Sequence, residues 1–195
     1  MPSILDFTDR VVLASQSIAR KRLLEDLGLQ VIVSPTDCDE SHSPMAPGEV
    51  VQLLARRKLD AYRQSHMEYT LPVLCCDTLV WHNNHLIGKP SDRKIAKQQL
   101  QSFSGTPQLV YSGWALWYEE SIFEGTDVAT VHFKELSESI IESYLDTEEW
   151  RGAAGSYRIQ EQGKFLIDHV EGDFATVIGL PLLQISEILN GNCAR

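Results

Sequence analysis

The stretch Val11-Val12-Leu13-Ala14-Ser15-Gln16-Ser17-Ile18-Ala19-Arg20-Lys21-Arg22-Leu23-Leu24 decides the fold class. Its first four residues are apolar and predict a short buried strand. The hydroxyl-rich turn Ser15-Gln16-Ser17 predicts a helix start, and the helix runs through Leu27 to a glycine stop at Gly28. A strand that feeds a helix through a tight polar turn is a building block of α/β sheets.

Working outward, residues 30–33 predict a second strand, closed by Ser34-Pro35. Residues 36–46 form a polar, acidic loop, and residues 49–64 predict an amphipathic helix. Strands at 73–76 and 79–81 flank Asp77-Thr78, and Asn83-Asn84 turns a hairpin back to Gly88-Lys89-Pro90. Ser91-Asp92 caps a helix to about Phe103, stopped by Ser104-Gly105. Residues 108–118 and 122–133 alternate as a long hairpin, and residues 137–145 predict a short acidic helix. Residues 165–170 and 176–178 are strand-like, and a helix over 181–189 has proline in its first turn. The expected fold is α/β, a single domain over residues 1–195, with a mixed twisted sheet and flanking helices.

Composition narrows the function. The chain has 195 residues, 43% of them hydrophobic and 23% charged, which suits a packed domain rather than disorder. No apolar run approaches the roughly 20 residues of a membrane helix. Met1-Pro2-Ser3-Ile4-Leu5-Asp6 lacks a signal-peptide layout. The net charge of −10 excludes a generic nucleic-acid coat but permits a small anionic ligand where cations gather locally. Cys38, Cys75, Cys76 and Cys193 show no Cys-x-x-Cys spacing; Cys75 and Cys76, adjacent in an apolar stretch, are expected to be buried thiols, and the cytoplasm is expected to be reducing.

Several constellations suit chemistry. The turn at Ser15 and Ser17 opens a helix N-terminus, where free N–H groups and the helix dipole favour an anion. Arg20 lies one turn further on the same face; equally, Ser17 is a simple cap beneath a solvated basic face. Asp77 follows an apolar strand, suited to a divalent metal or a water, or else to capping local backbone. Asp37, Asp39 and Glu40 offer hard oxygen ligands, or are plain solvated loop acids. Lys58 is a cation on the apolar side of its helix, and Lys89 sits in a rigid turn. Either reaches a phosphate as a point charge or snorkels over apolar neighbours. Gly155-Ser156-Tyr157-Arg158-Ile159-Gln160 ends in a planar amide suited to a base edge. His82 and His85 suggest zinc, but no matching ligands follow. The first strand lacks a Gly-x-Gly-x-x-Gly, which argues against a dinucleotide-binding oxidoreductase.

Taken in order, these tracts resemble the Maf family of nucleoside triphosphate pyrophosphatases. The resemblance rests on Leu13-Ala14-Ser15-Gln16-Ser17 with Arg20, Asp39-Glu40, Lys58, Asp77-Thr78 and Gly88-Lys89-Pro90. It continues through Ser104-Gly105, Ala154-Gly155-Ser156-Tyr157, Ile159-Gln160, Glu171-Gly172-Asp173 and Gly179-Leu180-Pro181-Leu182. It implies an elongated, inosine-triphosphatase-like fold and hydrolysis of a nucleoside triphosphate to the monophosphate and pyrophosphate. It also implies a divalent cation, Mg²⁺ or Mn²⁺, held by Glu40 and Asp77, and a homodimer. By position, the resemblance implies that Ser15, Ser17, Arg20, Lys58 and Lys89 hold phosphates, Asp77 is the acidic catalytic residue, Glu40 aids metal or water, and Thr78 and Gln160 lie near the substrate.

The chain departs from the family pattern at three points. Ile18-Ala19-Arg20 stands where Pro-Arg-Arg is usual, Thr106-Pro107-Gln108 where Arg-Thr-His is usual, and Gly152-Ala153 where Asp-Lys is usual. Asp77-Thr78 and Ile159-Gln160 match members acting on UTP and dTTP, whereas Ala154-Gly155-Ser156-Tyr157-Arg158 matches members acting on 7-methyl-GTP. The expectation is a cytoplasmic enzyme on a pyrimidine nucleotide such as UTP or dTTP. The alternatives are the 7-methyl-GTP subclass and a nucleotide-binding regulator of cell division with little turnover.

Overall fold

In the computed structural model, residues 8–66 and 71–193 are described, the last five by backbone alone. The expectations for Met1-Pro2-Ser3-Ile4-Leu5-Asp6 and for the Cys193 thiol lie outside the described residues. Strand β1 (Arg10–Leu13) pairs in parallel with β2 (Gln30–Val33), Val11 facing Val31. It also pairs in parallel with β3 (Val73–His82), Val12 facing Val73. Strand β4 (His85–Ile87) returns antiparallel on β3 through Asn83 and Asn84, whose φ values of 48° and 64° suit the two-residue turn. Strands β5 (Pro107–Tyr118), β6 (Ser121–Phe133) and β7 (Ile167–Glu171) complete a mixed seven-stranded sheet ordered β2-β1-β3-β5-β6-β7, with β4 beside β3. The helices are α1 (Ile18–Asp26), α2 (Pro47–Ser65), α3 (Arg93–Phe103), α4 (Glu138–Leu145), α5 (Phe174–Ile178) and α6 (Leu182–Cys193).

The chain divides into two compact units. The first holds residues up to Thr78, Ser112–Asp127 and the segment from Gly179 onward. Val11–Leu13 of β1 and Val73–Cys76 of β3 are buried on both faces, which explains why they read as continuous apolar runs. Val11, Leu13, Leu74 and Cys76 pack with Leu24, Trp114, Leu180 and Ile185. Val12, Ala14, Val73 and Cys75 point the other way, onto Ala55, Leu59 and Tyr62 of α2. Burial raises both adjacent thiols, that of Cys76 to about 11, so they are protonated packing groups.

The second unit holds Leu79–Tyr111 and Val128–Ile178. Its core gathers Val80, Leu100 and Phe103 against Val131, Phe133, Ile141, Leu145, Trp150 and Tyr157. Acidic side chains of α4 and its C-cap are cross-linked to α3. Arg93 bonds Glu142 at 2.6 Å and Asp146 at 2.7 Å, and Lys97 pairs with both Glu138 and Glu142. No helix among the described residues is long and apolar enough to cross a membrane.

Three expectations are corrected. The strand does not break at Asp77-Thr78, because β3 continues through both. Their side chains bond distant partners (Lys58, and Arg20 with Ser112) instead of local backbone, so the turn chemistry is never used. Residues 176–178 are helical, in α5. Asp173 accepts the Ala175 N–H at 2.9 Å through its carboxylate and the Thr176 N–H at 3.1 Å through its carbonyl, an end-cap that overrides β-branched propensity. Strand β7 also starts later than expected, at Ile167, because Gln162–Leu166 forms a 3-10 turn.

Candidate active site

The first unit brings a carboxylate, a lysine and a second carboxylate together. Helix α2 turns Leu54, Ala55, Leu59 and Tyr62 inward, and Lys58 shares that side. Its Nζ lies 2.5 Å from Asp77 Oδ1 on β3 and 3.1 Å from Glu40 Oε1 in the acidic loop. Burial disfavours the ammonium, yet the Asp77 charge and the hydrogen bonds to Asp77 and Glu40 outweigh it and raise the Lys58 pKa above its ordinary value. The cation that looked out of place on an apolar face is there to meet Asp77.

The loop that presents Glu40 is fastened on both sides. Arg57 Nη1 donates to the carbonyls of Asp39 at 3.0 Å and Ser41 at 2.5 Å. Asp39 accepts the Ser41 N–H at 2.9 Å and its hydroxyl at 2.8 Å, which holds its carboxyl below the usual range. Asp39 thus acts as a loop brace, and Glu40 is the acid offered to Lys58. Cys38, next in the same loop, has its thiol pushed up by burial, with Lys58 opposing and Glu40 and Asp77 adding to the rise. It is no nucleophile at neutral pH.

Arg20 forms a second focus. Ser17 caps α1, accepting the Arg20 N–H at 3.3 Å, and Ser15 Oγ accepts the Ser17 N–H at 3.2 Å. The guanidinium donates to Gly179 O at 2.8 Å, Cys76 O at 3.0 Å, Ser15 Oγ at 3.1 Å and Thr78 Oγ1 at 2.9 Å. Four N–H donors are therefore committed to the chain, and a guanidinium carries five. Thr78 Oγ1 also lies 2.9 Å from Ser112 Oγ. Lys21 pairs with Glu25 on the surface of α1 at 3.3 Å and does not replace the arginine absent at Ala19.

Gly179, Ser112 and Arg57 belong to this machinery, although sequence spacing did not single them out. Gly179 adopts φ 104°, and a Cβ there would lie 2.7 Å from Thr78 Oγ1 and 3.0 Å from the Arg20 guanidinium. Its place in Gly179-Leu180-Pro181-Leu182, just before a helix, was the available signal.

Lys89 and Gln160 belong to the second unit and are described there alone. Lys89 is exposed and Gln160 half-buried. The Gly88 carbonyl beside Lys89 accepts the Gln99 amide at 3.2 Å and the Gly155 N–H at 3.3 Å, and Ser156 in turn bonds Gln99. The Gly-Lys-Pro turn and the Ala-Gly-Ser tract are thereby tied together. Gln108, where the family has histidine, is buried and donates to the Tyr157 hydroxyl at 2.6 Å. His82 is a core residue, its ring nitrogens 3.1 Å from Pro107 O and 2.9 Å from Ser102 O, so it does not serve zinc with His85.

Glu40 and Asp77 supply hard carboxylate oxygens that share one ammonium, a donor set that fits Mg²⁺ or Mn²⁺.

A family model described as Maf-like protein matches residues 10–192. A Pyrococcus furiosus protein named dTTP/UTP pyrophosphatase is 34% identical over 92% of this chain and 94% of its own length. A Latilactobacillus sakei protein of the same name is 38% identical over 91% of this chain and 98% of its own. Among solved structures, the Staphylococcus aureus Ham1 protein aligns over 94% of this chain and 99% of that one, with a TM-score of 0.48 at 13% identity.

Proposed function

This chain belongs to the Maf-like protein family, and on that basis we propose that it is a nucleoside triphosphate pyrophosphatase acting on dTTP and UTP. The observation that carries the proposal is the Lys58 ammonium set between Asp77 and Glu40. A hydrolase that splits a phosphoric anhydride must orient a water and neutralise developing negative charge. A half-buried carboxylate paired with a lysine suits the first task, and the cations Arg20, Lys58 and Lys89 suit the second.

In the proposed step, Asp77 orients a water and takes its proton as the water oxygen bonds to the α-phosphorus. The bond from the α-phosphorus to the α,β-bridging oxygen breaks, and its electron pair leaves with pyrophosphate. Lys58 holds the Asp77 carboxylate in place before the step and stays cationic through it. Arg20 fixes Ser15, Thr78 and Gly179, with one N–H left for a phosphate oxygen. Ser17 and the α1 N-terminus add donors. Lys89 is proposed as a further phosphate cation, and Thr78 and Gln160 as contacts to the nucleoside. A divalent ion bound at Glu40 and Asp77 would supply charge neutralisation at the triphosphate.

Residues 1–195 are proposed to act as one domain, since β3, β5 and β6 each run from one unit into the other along the chain. Cytoplasmic residence fits a nucleotide substrate and protonated buried thiols, and a homodimer is proposed from the family resemblance. Ala19, where the family carries arginine, favours a second option, a nucleotide-binding regulator with weak turnover.

One panel separates these. The protein is incubated with Mg²⁺ or Mn²⁺ and UTP, dTTP, CTP, 7-methyl-GTP or ATP, and pyrophosphate is measured. Pyrophosphate from UTP and dTTP supports the proposal, and preference for 7-methyl-GTP would reassign the subclass. Binding without turnover on any member would establish the regulator instead.

A further inference from the structure

The antiparallel pair β6–β7 sets three metal-ligating side chains on one face. His132 lies directly opposite His169, and Glu171 lies opposite Thr130, two residues along. Because side chains alternate along a strand, His132, His169 and Glu171 point to the same side. Their ligand atoms all lie within 4.8 Å of one another. Glu171 Oε1 is 3.4 Å from His132 Nε2 and 3.7 Å from His169 Nε2. Two ligands of a tetrahedral ion, each about 2.0–2.1 Å from it, sit about 3.4 Å apart, so these separations match a metal's coordination edges.

Two further observations point to a ligand. His132 Nε2 is shut off from solvent, and its contact with Glu171 is not aligned as a hydrogen bond, so the nitrogen has no hydrogen-bond partner. His169 Nδ1 is 2.8 Å from Asp168 Oδ2. A carboxylate that accepts the Nδ1 proton leaves Nε2 with its lone pair, the arrangement that orients histidine ligands in metal sites. The imidazole rings stack 4.1 Å apart at 9°, and because each lone pair lies in its ring plane, the exposed His169 ring would turn for both Nε2 atoms to reach one ion. A metal shared by the Nε2 atoms and Glu171 gives the orphan nitrogen a partner.

We propose that His132, His169 and Glu171 bind one transition-metal ion of the zinc and cobalt class, with Asp168 as the positioning residue behind His169 and a water at the fourth position. Imidazole with a single carboxylate suits these borderline ions rather than Mg²⁺. The site pins β7 to β6, which makes it a clamp on the fold. It does not depend on the proposed pyrophosphatase activity, since none of its ligands is assigned a role there.

The test uses the untagged full chain, stripped with a chelator and titrated with Co²⁺ while visible d–d absorption is followed, then with Zn²⁺ by calorimetry. One equivalent should bind, with a four-coordinate cobalt spectrum and a rise in melting temperature. His169→Gln and Glu171→Gln should each weaken binding at least about tenfold, and Asp168→Asn by about tenfold. Both ligand variants change exposed side chains, so circular dichroism should show them folded. Glu40→Gln with Asp77→Asn should leave the cobalt spectrum intact, which separates this site from the carboxylate pair. No d–d band, or affinity unchanged by the histidine and Glu171 variants, would overturn the proposal.

Discussion

Lys58 and Lys97 each stand between two carboxylates, but in very different surroundings. The Lys58 side chain is 16% exposed, and its nearer partner, Asp77, is 13% exposed. The Lys97 side chain is 30% exposed, and its partners Glu138 and Glu142 are 60% and 39% exposed. Water screens the α3–α4 pairs, so they fasten two helices at little net gain. Around Lys58 the screening is weaker, and each charge there depends on the other. The difference teaches where a charge is structural trim and where it is poised for chemistry.

The sharpest way to break that comparison is Asp77→Asn. Turnover should fall by about 100-fold or more, the scale of losing a positioned base, with the fold intact by circular dichroism. Near wild-type turnover would move the catalytic role to another carboxylate.

Gly179→Ala should follow, because its Cβ would intrude on Thr78 and Arg20 at a φ of 104°. A loss of about 1–3 kcal/mol in denaturant unfolding is expected, together with a raised KM as the Arg20 tie is displaced. A change in stability with kinetics unchanged would reduce Arg20 to a purely structural tie.

The pH dependence of Lys58 sharpens the contrast further. Its folded pKa is raised above the reference value of 10.5, so the pair's contribution is fully present below that value and lost as pH rises through the higher folded value. Unfolding measured from pH 8 upward should show wild type losing stability relative to Lys58→Gln only above about pH 10.5. A loss near neutral pH would mean that burial, not Asp77, governs the lysine. The smallest effect belongs to Lys97→Gln, whose melting temperature and turnover should both stay close to wild type. A large drop would show that the surface network is not screened as its exposure implies.

Much of this was legible in the sequence. The strand–turn–helix at Ser15–Arg20 and the runs at Val11 and Val73 stood out because parallel strands buried on both faces cannot alternate. Lys58 stood out because a cation on an apolar helix face needs a partner. What stayed hidden depends on contacts distant in sequence. Arg20 meets Gly179 across 159 residues, and the Arg57 bonds to the Glu40 loop appear only once α2 is in place. The continuity of β3 was hidden for the same reason, since Asp77 and Thr78 read as turn formers until their remote partners are known. His132, His169 and Glu171 were within reach, because period-two spacing places His169 and Glu171 on one face, but the register opposite His132 is a property of the fold.

The most direct test is hydrolysis of UTP in ¹⁸O-labelled water, with both products examined by mass spectrometry. Attack on the α-phosphorus puts the label in UMP and leaves pyrophosphate unlabelled, and Asp77→Asn should suppress both products together. Label in pyrophosphate, or release of labelled orthophosphate first, would contradict the assignment of Asp77, Lys58 and Glu40 to cleavage at the α-phosphorus.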